Sequence, residues 1–319
     1  MQEFAFELNL CEYLENHRRG IISRQLGASI HGGGANRVMD IVHVSPGPAF
    51  EKRLSLGSST IPPEAIKVPV STGKWQPVSE VFDKHPEHTN RIVKQAVKAG
   101  FFEFTRKDKQ PVIRQVTDYP VWYDTLTGIE NKPNLNDPGN LSLQLDKDLA
   151  LQLFDEIIVA TTSYVTKAHL HRLPDEIGIW RFDPETSSLT VIRDPTQLNV
   201  QATGYDITET TPTRVDIKPV SQTEKHHKRR RIAELAFGKG WRIADLPACA
   251  HMEPSESGLP MCTYYDRVVN PNRACSPSCE GFKSGDKPTI DTAHLREQNT
   301  EWEKEPTGFA REQSSLDIF

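Results

Sequence analysis

A stripe of leucines between two short apolar segments constrains the fold more than any other feature of this chain. The leucines that recur one helical turn apart are Leu141, Leu145, Leu149 and Leu153. Their spacing predicts a helix over 138–154, and the apolar runs at 127–132 and 156–161 are short enough to be buried strands on either side of it. A helix between two apolar strands predicts a sheet that is covered by helices.

Further elements before and after this region extend the pattern. Residues 3–16 carry apolar side chains at helical spacing, which predicts an amphipathic helix at the start of the chain. Residues 21–26, 37–44 and 177–182 are short apolar stretches that predict additional strands. We therefore expect the α/β class, with a mixed sheet flanked by helices.

Two acidic residues and a lysine occupy the predicted strands of this sheet. Glu130 and Lys132 are two positions apart, so on a strand both side chains point to the same face. Asp40 lies on an earlier strand and supplies a second carboxylate. Carboxylate oxygens suit Mg²⁺, and a nearby lysine positions or activates an attacking water, which favours metal-assisted phosphodiester cleavage. The ordinary alternative is an ion pair between Glu130 and Lys132 on an exposed strand.

With the order of elements around them, these residues resemble the PD-(D/E)xK nuclease superfamily, the restriction-endonuclease-like fold. That family has its motif acid on the second strand and its E-x-K on the third, which correspond to Asp40, Glu130 and Lys132. The resemblance implies that Asp40 and Glu130 bind Mg²⁺, with the backbone carbonyl of Asn131 as a further ligand. It also implies that Lys132 acts on the water. Met39 stands where the motif has proline.

The same resemblance implies two supporting residues. Glu7 on the first helix and Gln144 on the helix after the third strand occupy positions at which the family places an assisting acid and a glutamine. The resemblance covers 3–46 and 122–182, and the segment between them is a long insertion.

The whole chain is also similar to an uncharacterised family from salt-loving archaea. The sequence segments that are similar to that family lie at 128–133, 153–156 and 238–242. The similarity implies no activity.

The insertion over 49–119 has a character of its own. A helix is predicted over 90–99, followed by a hairpin formed by 101–104 and 111–116. A helix and a basic-tipped hairpin outline a winged helix, and 84–117 hold eight Lys or Arg against three Asp or Glu. This balance favours binding to the DNA backbone as much as it favours a solvated surface hairpin.

A second basic stretch lies at 224–242, which holds seven Lys or Arg against two acids. Its apolar residues predict a basic amphipathic helix. A solvated helix face is the common explanation of such a run, and a face that binds DNA phosphates is the alternative.

Four of the five cysteines lie together after this helix: Cys249, Cys262, Cys275 and Cys279. Cys275 and Cys279 form a C-x3-C pair, and four thiolates satisfy a closed tetrahedral site, so we expect structural Zn²⁺. Free cysteines are one alternative. Another is the iron–sulfur cluster that some relatives of the nuclease fold carry, with Cys11 as an upstream ligand. Cys11 also fits a buried helix face.

Composition limits the class of protein. The chain has 319 residues and a formal net charge of −5, so only local basic patches favour polyanions. It has no apolar run long enough to span a membrane, and its acidic first residues do not form a secretory signal, which predicts a cytoplasmic protein.

The expected organisation has five parts. They are a discontinuous nuclease-like core (1–48 and 120–185), a winged-helix-like insertion (49–119), a linker (186–222), a basic helix with a Cys-rich zinc module (223–284) and a polar, poorly ordered tail (285–319). The expected function is metal-dependent endonucleolytic or exonucleolytic cleavage of DNA. The alternatives are an inactive nuclease fold that binds DNA as a regulator, and a structural or protein-interaction scaffold.

Overall fold

The computed structural model describes residues 2–26, 38–137, 139–211 and 213–306. The helices among them are α1 (Glu3–His17), α2 (Phe50–Leu54), α3 (Pro63–Lys67), α4 (Val78–Val81), α5 (Pro86–Lys98), α6 (Leu141–Leu151), α7 (Lys167–Leu170), α8 (Gln222–Lys239), α9 (Pro271–Ala274) and α10 (Thr292–Asn299). The strands are β1 (Ile21–Leu26), β2 (Met39–Pro46), β3 (Gln76–Pro77), β4 (Phe102–Lys107), β5 (Gln110–Gln115), β6 (Tyr123–Asn131), β7 (Glu156–Thr161), β8 (Gly178–Asp183), β9 (Ser188–Arg193), β10 (Gly204–Thr211), β11 (Arg214–Val220), β12 (Met252–Pro254), β13 (Pro260–Cys262) and β14 (Arg267–Val268).

The central sheet has six strands in the order β1-β2-β6-β7-β8-β9. Strands β1 and β2 pair antiparallel, as do β2 and β6, whereas β6, β7 and β8 run parallel to one another. Strand β9 closes the far edge antiparallel to β8. The expected mixed α/β sheet flanked by helices is therefore confirmed.

The two faces of this sheet are covered by different helices. Helix α1 packs its apolar side chains, such as Phe6 and Leu14, on one face together with Ile41 and Ile129. Helices α6 and α8 cover the other face, where Leu145 and Ile232 belong to the larger apolar cluster. Because side chains alternate along a strand, neighbouring residues of β2 and β6 face opposite helices.

The leucine stripe forms helix α6, although the helix is shorter than 138–154. It ends at Leu151 because Gln152 adopts the left-handed conformation (φ 52°) that terminates helices. Leu153 is buried beyond the end of the helix. Gly128 in β6 meets this region so closely that a Cβ atom there would lie 2.7 Å from Met39 and 3.1 Å from Phe154.

The insertion contains the expected hairpin, formed by β4 and β5, and a third short strand, β3, pairs with β5. The helix before the hairpin, α5, begins at Pro86 rather than at residue 90, since proline at the first helical position is pre-organised for a helix start. These elements share an apolar cluster of their own.

A buried ion pair fastens the insertion to α8. Glu234 is 0% exposed and accepts hydrogen bonds from Arg53, Tyr119 and Trp122. Charges in the interior persist only when they are paired and hydrogen-bonded in this way.

Residues 186–222, expected to be a linker, contain strands β9, β10 and β11 instead. Strand β9 joins the central sheet, and β10 and β11 pair as a separate hairpin. The Thr- and Asp-rich composition of this segment obscured the strand pattern, because most of these side chains are exposed on a ribbon.

The tail from 285 was expected to be poorly ordered, but its described part folds against α8. Helix α10 places the buried Arg296 so that it donates a hydrogen bond to the carbonyl of Phe237 at 2.8 Å. Trp302 is buried against the main cluster. Residues 307–319 of the expected tail lie outside the described residues.

None of the described helices is long and apolar enough to cross a membrane.

Candidate active site

Gln25, Asp40 and Glu130 lie in a row across three neighbouring strands. The register pairs Ile41 with Ile129, and continuing it by one residue sets Asp40 opposite Glu130. The register of β1 with β2 likewise sets Gln25 opposite Asp40. The pairing of β2 with β6 thus ends beside the two acidic residues that the sequence places on separate strands.

Both oxygens of the Asp40 carboxylate are held by hydrogen bonds. The backbone amide of Asn131 donates to Oδ2 at 2.9 Å, and Nε2 of Gln25 donates to Oδ1 at 3.1 Å. The orientation of Asp40 is therefore determined by β1 and β6 on either side of it.

Glu7 joins this cluster from α1 through the same glutamine. Nε2 of Gln25 donates to Oε2 of Glu7 at 2.9 Å, and Nε of Arg24 donates to Oε1 at 2.6 Å. Burial raises the pKa of Glu7, the Arg24 guanidinium opposes that rise, and the negative charge of Asp40 adds to it. The charges of Glu7 and Asp40 therefore influence each other across this cluster.

Glu130 is 4% exposed, so its carboxylate lies in the interior of the protein rather than on a solvated strand. Its position on β6 puts it on the face that α6 and α8 cover. A buried carboxylate is unusual on a sheet and marks a candidate functional position.

Lys132 follows immediately after β6 and is half-buried. Its backbone amide continues the parallel ladder by donating to the carbonyl of Ala160 at 2.8 Å. A Cβ atom on Gly139 would lie 3.7 Å from Nζ, so the ammonium sits beside the loop that leads into α6. No ion pair within the described part of the chain includes Lys132, so the simple pairing of Glu130 with Lys132 is absent there.

Asn131 points away from these groups. On a strand its side chain faces opposite to those of Glu130 and Lys132, on the α1 side of the sheet. It is 3% exposed, and neither polar atom of its amide has a hydrogen-bond partner among the residues described. Its contact with Asp40 is made by the backbone amide.

Gln144 lies on α6, which packs on the face of the sheet opposite α1. Its side chain makes no hydrogen bond to any residue in the described ranges. Among the described residues, Gln144 therefore makes no hydrogen bond to either carboxylate.

Three residues of the site were not predicted from the sequence: Arg24, Gln25 and Lys239. Gln25 has a left-handed backbone (φ 50°), which turns its amide toward two carboxylates at once. Nζ of Lys239, at the end of α8, donates to the carbonyl of Gln25 at 2.6 Å. The one available signal was the polar pair at 24 and 25 inside an apolar strand.

The cysteines gather in a second, separate region. Cys249, Cys262 and Cys275 belong to one small apolar cluster, and Sγ of Cys279 lies 3.6 Å from the hydroxyl of Tyr265. Burial raises the pKa of Cys275, and the Cys262, Cys249 and Cys279 thiols raise it further. The four thiols are therefore neighbours.

Cys11 lies apart from those thiols and is fully buried in the α1 cluster. Burial raises the pKa of its thiol well above the usual range, with the charge of Glu7 as the next cause. This position matches the expectation of a buried helix face.

Neither region is a preformed cage. Across the described ranges, no group of three or more His, Cys, Asp or Glu side chains is arranged to hold a metal ion. A Mg²⁺ ion needs fewer protein ligands, because it is usually held by one or two carboxylates and keeps several waters. Asp40 and Glu130 are two carboxylates of the kind that Mg²⁺ prefers, and the four thiols are ligands of the kind that Zn²⁺ prefers.

One family model matches the chain, that of DUF5787, a family of unknown function, over residues 21–284. The chain belongs to this family. The DUF5787 match begins at β1 and ends after the cysteines, so it includes Asp40, Glu130 and all four clustered cysteines. No curated protein and no solved structure matches the chain.

Proposed function

We propose that this protein is a Mg²⁺-dependent nuclease that hydrolyses phosphodiester bonds of DNA. The observation that carries the proposal is the antiparallel pairing of β2 with β6, which ends at Ile41 and Ile129 beside Asp40 and Glu130, with Lys132 two residues further on. Two carboxylates and one amine at the end of neighbouring strands supply a cation site and a group that acts on water.

The topology supports this proposal. A helix, then three neighbouring strands, then a helix and a parallel strand follow in the order that the PD-(D/E)xK resemblance implies. The acid lies on the second of those strands and the E-x-K segment ends the third. The insertion between them forms its own cluster, and β2 still pairs with β6, with one register shift between Val44 and Pro46.

The roles of the residues follow from their surroundings. Asp40 and Glu130 would hold the metal, with the carbonyl of Asn131 as a further oxygen ligand. When bound, Mg²⁺ supplies Lewis-acid stabilisation of charge that develops on the phosphate. Lys132 would orient the attacking water or stabilise that charge.

The buried charges around the metal ligands support them. Gln25 holds Asp40 and Glu7 in place by donating to both, and Arg24 opposes the rise in the pKa of Glu7 that burial causes. Only the family resemblance supports a role for Gln144, because its side chain makes no hydrogen bond to either carboxylate in the described ranges.

The cysteine-rich segment is proposed to bind Zn²⁺. The support is the proximity of the four thiols and the small three-stranded sheet, β12-β13-β14, whose middle strand carries Cys262. A metal would stabilise a segment with a small apolar core.

Nicking of supercoiled plasmid tests the function. With Mg²⁺ the wild-type protein is expected to convert supercoiled to open-circular DNA, and Glu130→Gln and Lys132→Met are expected to abolish this. Glu156→Gln is the matched control, because Glu156 lies at the opposite end of the parallel ladder, where it accepts a hydrogen bond from Thr127. Cleavage that survives in Glu130→Gln would overturn the proposal.

A further inference from the structure

A groove lies between the insertion and helix α8. It has a volume of about 470 Å³ and is lined by α5, by the loop before α3 and by one face of α8. On α8 the lining residues Arg231, Leu235 and Gly238 recur at helical spacing, so they form a single stripe. On α5 the lining residues Arg91 and Lys98 also lie on one face.

The groove joins the two basic stretches that are distant in the sequence. Arg91 and Lys98 come from 84–117, and Arg231 comes from 224–242. Each stretch alone is explained by a solvated surface, but three cationic side chains that converge on one concave surface concentrate positive potential there.

The cations in the groove are not neutralised by neighbouring acids. In the described structure none of Arg91, Lys98 and Arg231 makes an ion pair, whereas Arg229 and Arg242 both do. Arg91 instead contacts Nδ1 of His88 at 2.7 Å. These three side chains are therefore available to an anion.

Two acids also line the groove, and neither cancels this charge. Glu234 is fully engaged by Arg53 and its other donors inside the protein. Glu64 is half-buried on α3 and makes no ion pair with a described residue. The cationic side chains outnumber the one acid that is not already paired.

Helix α8 runs from the groove to the candidate active site. Gly238 lines the groove, and the next residue, Lys239, donates to the carbonyl of Gln25, whose side chain holds Asp40. From Arg231 to Lys239 the helix rises about 12 Å, which corresponds to three to four base-pair steps at roughly 3.4 Å each.

We infer that this groove binds the phosphate backbone of duplex DNA and directs one strand to the Asp40–Glu130 pair. The inference rests on the proposed function, since the bound strand is the substrate. No base-reading element lies in the groove lining, so binding would depend on salt and not on sequence.

Fluorescence anisotropy with a short labelled DNA duplex in EDTA tests the inference, because binding is then measured without cleavage. Arg91→Glu/Arg231→Glu is compared with Lys94→Glu/Lys218→Glu, which makes the same change in net charge. Lys94 is exposed on the same helix and Lys218 on β11, and neither lines the groove.

The groove variant is expected to bind roughly tenfold or more weakly than wild type, with the log–log slope of affinity against salt shallower by about 2. The control variant is expected to keep most of the affinity and the slope. Equal losses in both variants, or no binding by the wild-type protein, would overturn the inference. Arg91→Gln/Lys98→Gln replaces the groove variant if charge reversal at the half-buried Arg231 prevents folding.

The same proteins separate this inference from the proposed function. Selective loss of binding in the groove variant, together with a wild-type protein that does not nick plasmid in Mg²⁺, would support the groove and contradict the nuclease. Nicking by wild type with unchanged binding in the groove variant would contradict the groove and leave the nuclease in place.

Discussion

The carboxylate of Asp40 accepts a hydrogen bond from the backbone amide of Asn131, with 2.9 Å between Oδ2 and the nitrogen. The acid on β2 is thus attached to the main chain between Glu130 and Lys132. This contact positions the two acids through the backbone, so the identity of the intervening side chain is not needed to hold them together.

Replacement of Asn131 by leucine is expected to stabilise the protein. The buried amide has no described hydrogen-bond partner, and an unsatisfied buried polar group costs about 1–3 kcal/mol. Chemical denaturation should show a higher free energy of unfolding for Asn131→Leu, up to that amount, because leucine branches at the same atom and carries no polar group. Plasmid nicking should persist, since the side chain faces α1. A destabilised variant would contradict the account of the orphaned amide.

Gln25→Ala is expected to destabilise the protein by about 1–3 kcal/mol, because the buried Glu7 and the half-buried Asp40 lose their shared donor. Added Mg²⁺ should recover part of that loss by screening Glu7 and Asp40 from each other. Thermal unfolding with and without Mg²⁺ measures both effects. Gln144→Ala is the matched control and should change neither quantity, since its amide has no described partner. An equal response of the two variants would contradict the role of Gln25.

Lys225 gives a pH dependence that is independent of the active site. Burial, followed by the charge of Arg229, lowers its pKa from 10.5 to about 8. Between these values the unfolded chain binds more protons than the native protein, so the free energy of unfolding rises with pH in that range.

Lys225→Met is expected to remove this part of the rise. The test compares denaturant midpoints of wild type and variant from about pH 8 upward, with Lys218→Met as the control at an exposed position. If the difference in denaturant midpoint between wild type and Lys225→Met is constant with pH, the pKa of Lys225 is not lowered in the folded protein.

Zinc is expected to purify with the protein at about one equivalent per chain. Cys275→Ser and Cys279→Ser should each lose it, since three thiolates and a hydroxyl hold Zn²⁺ less firmly. Elemental analysis by mass spectrometry measures the content, and Cys11→Ala, in the α1 core, should retain it. Iron in place of zinc, or a metal-free wild type, would contradict the zinc assignment.

Periodicity predicted the central sheet because its strands and α6 obey simple hydrophobic spacing. It failed at 186–222, where the exposed ribbon of β10 and β11 has no buried face that alternation could reveal. It also failed at the tail, where a single buried arginine, Arg296, fastens α10 through backbone carbonyls of α8. Contacts of that kind depend on distant residues and leave no local pattern.

The candidate site divides in the same way. Residues two apart on a strand face the same way, so the sequence predicted that Glu130 and Lys132 share a face. It also predicted that Asp40 lies on another strand. Gln25 was not predictable, because its role depends on a left-handed backbone angle at the end of β1. The prediction of α6 placed Gln144 on a helix that covers the sheet. Whether its side chain reaches the carboxylates depends on tertiary packing, which the local sequence does not determine.

Binding of Mn²⁺, as a paramagnetic substitute for Mg²⁺, tests the central claim most directly. Titration followed by electron paramagnetic resonance should show one bound ion in the wild-type protein and in Glu156→Gln. Asp40→Asn and Glu130→Gln should each lose that site, because both carboxylates hold the same ion. Retention of the bound ion in both of these variants would contradict the claim that Asp40 and Glu130 form one metal site.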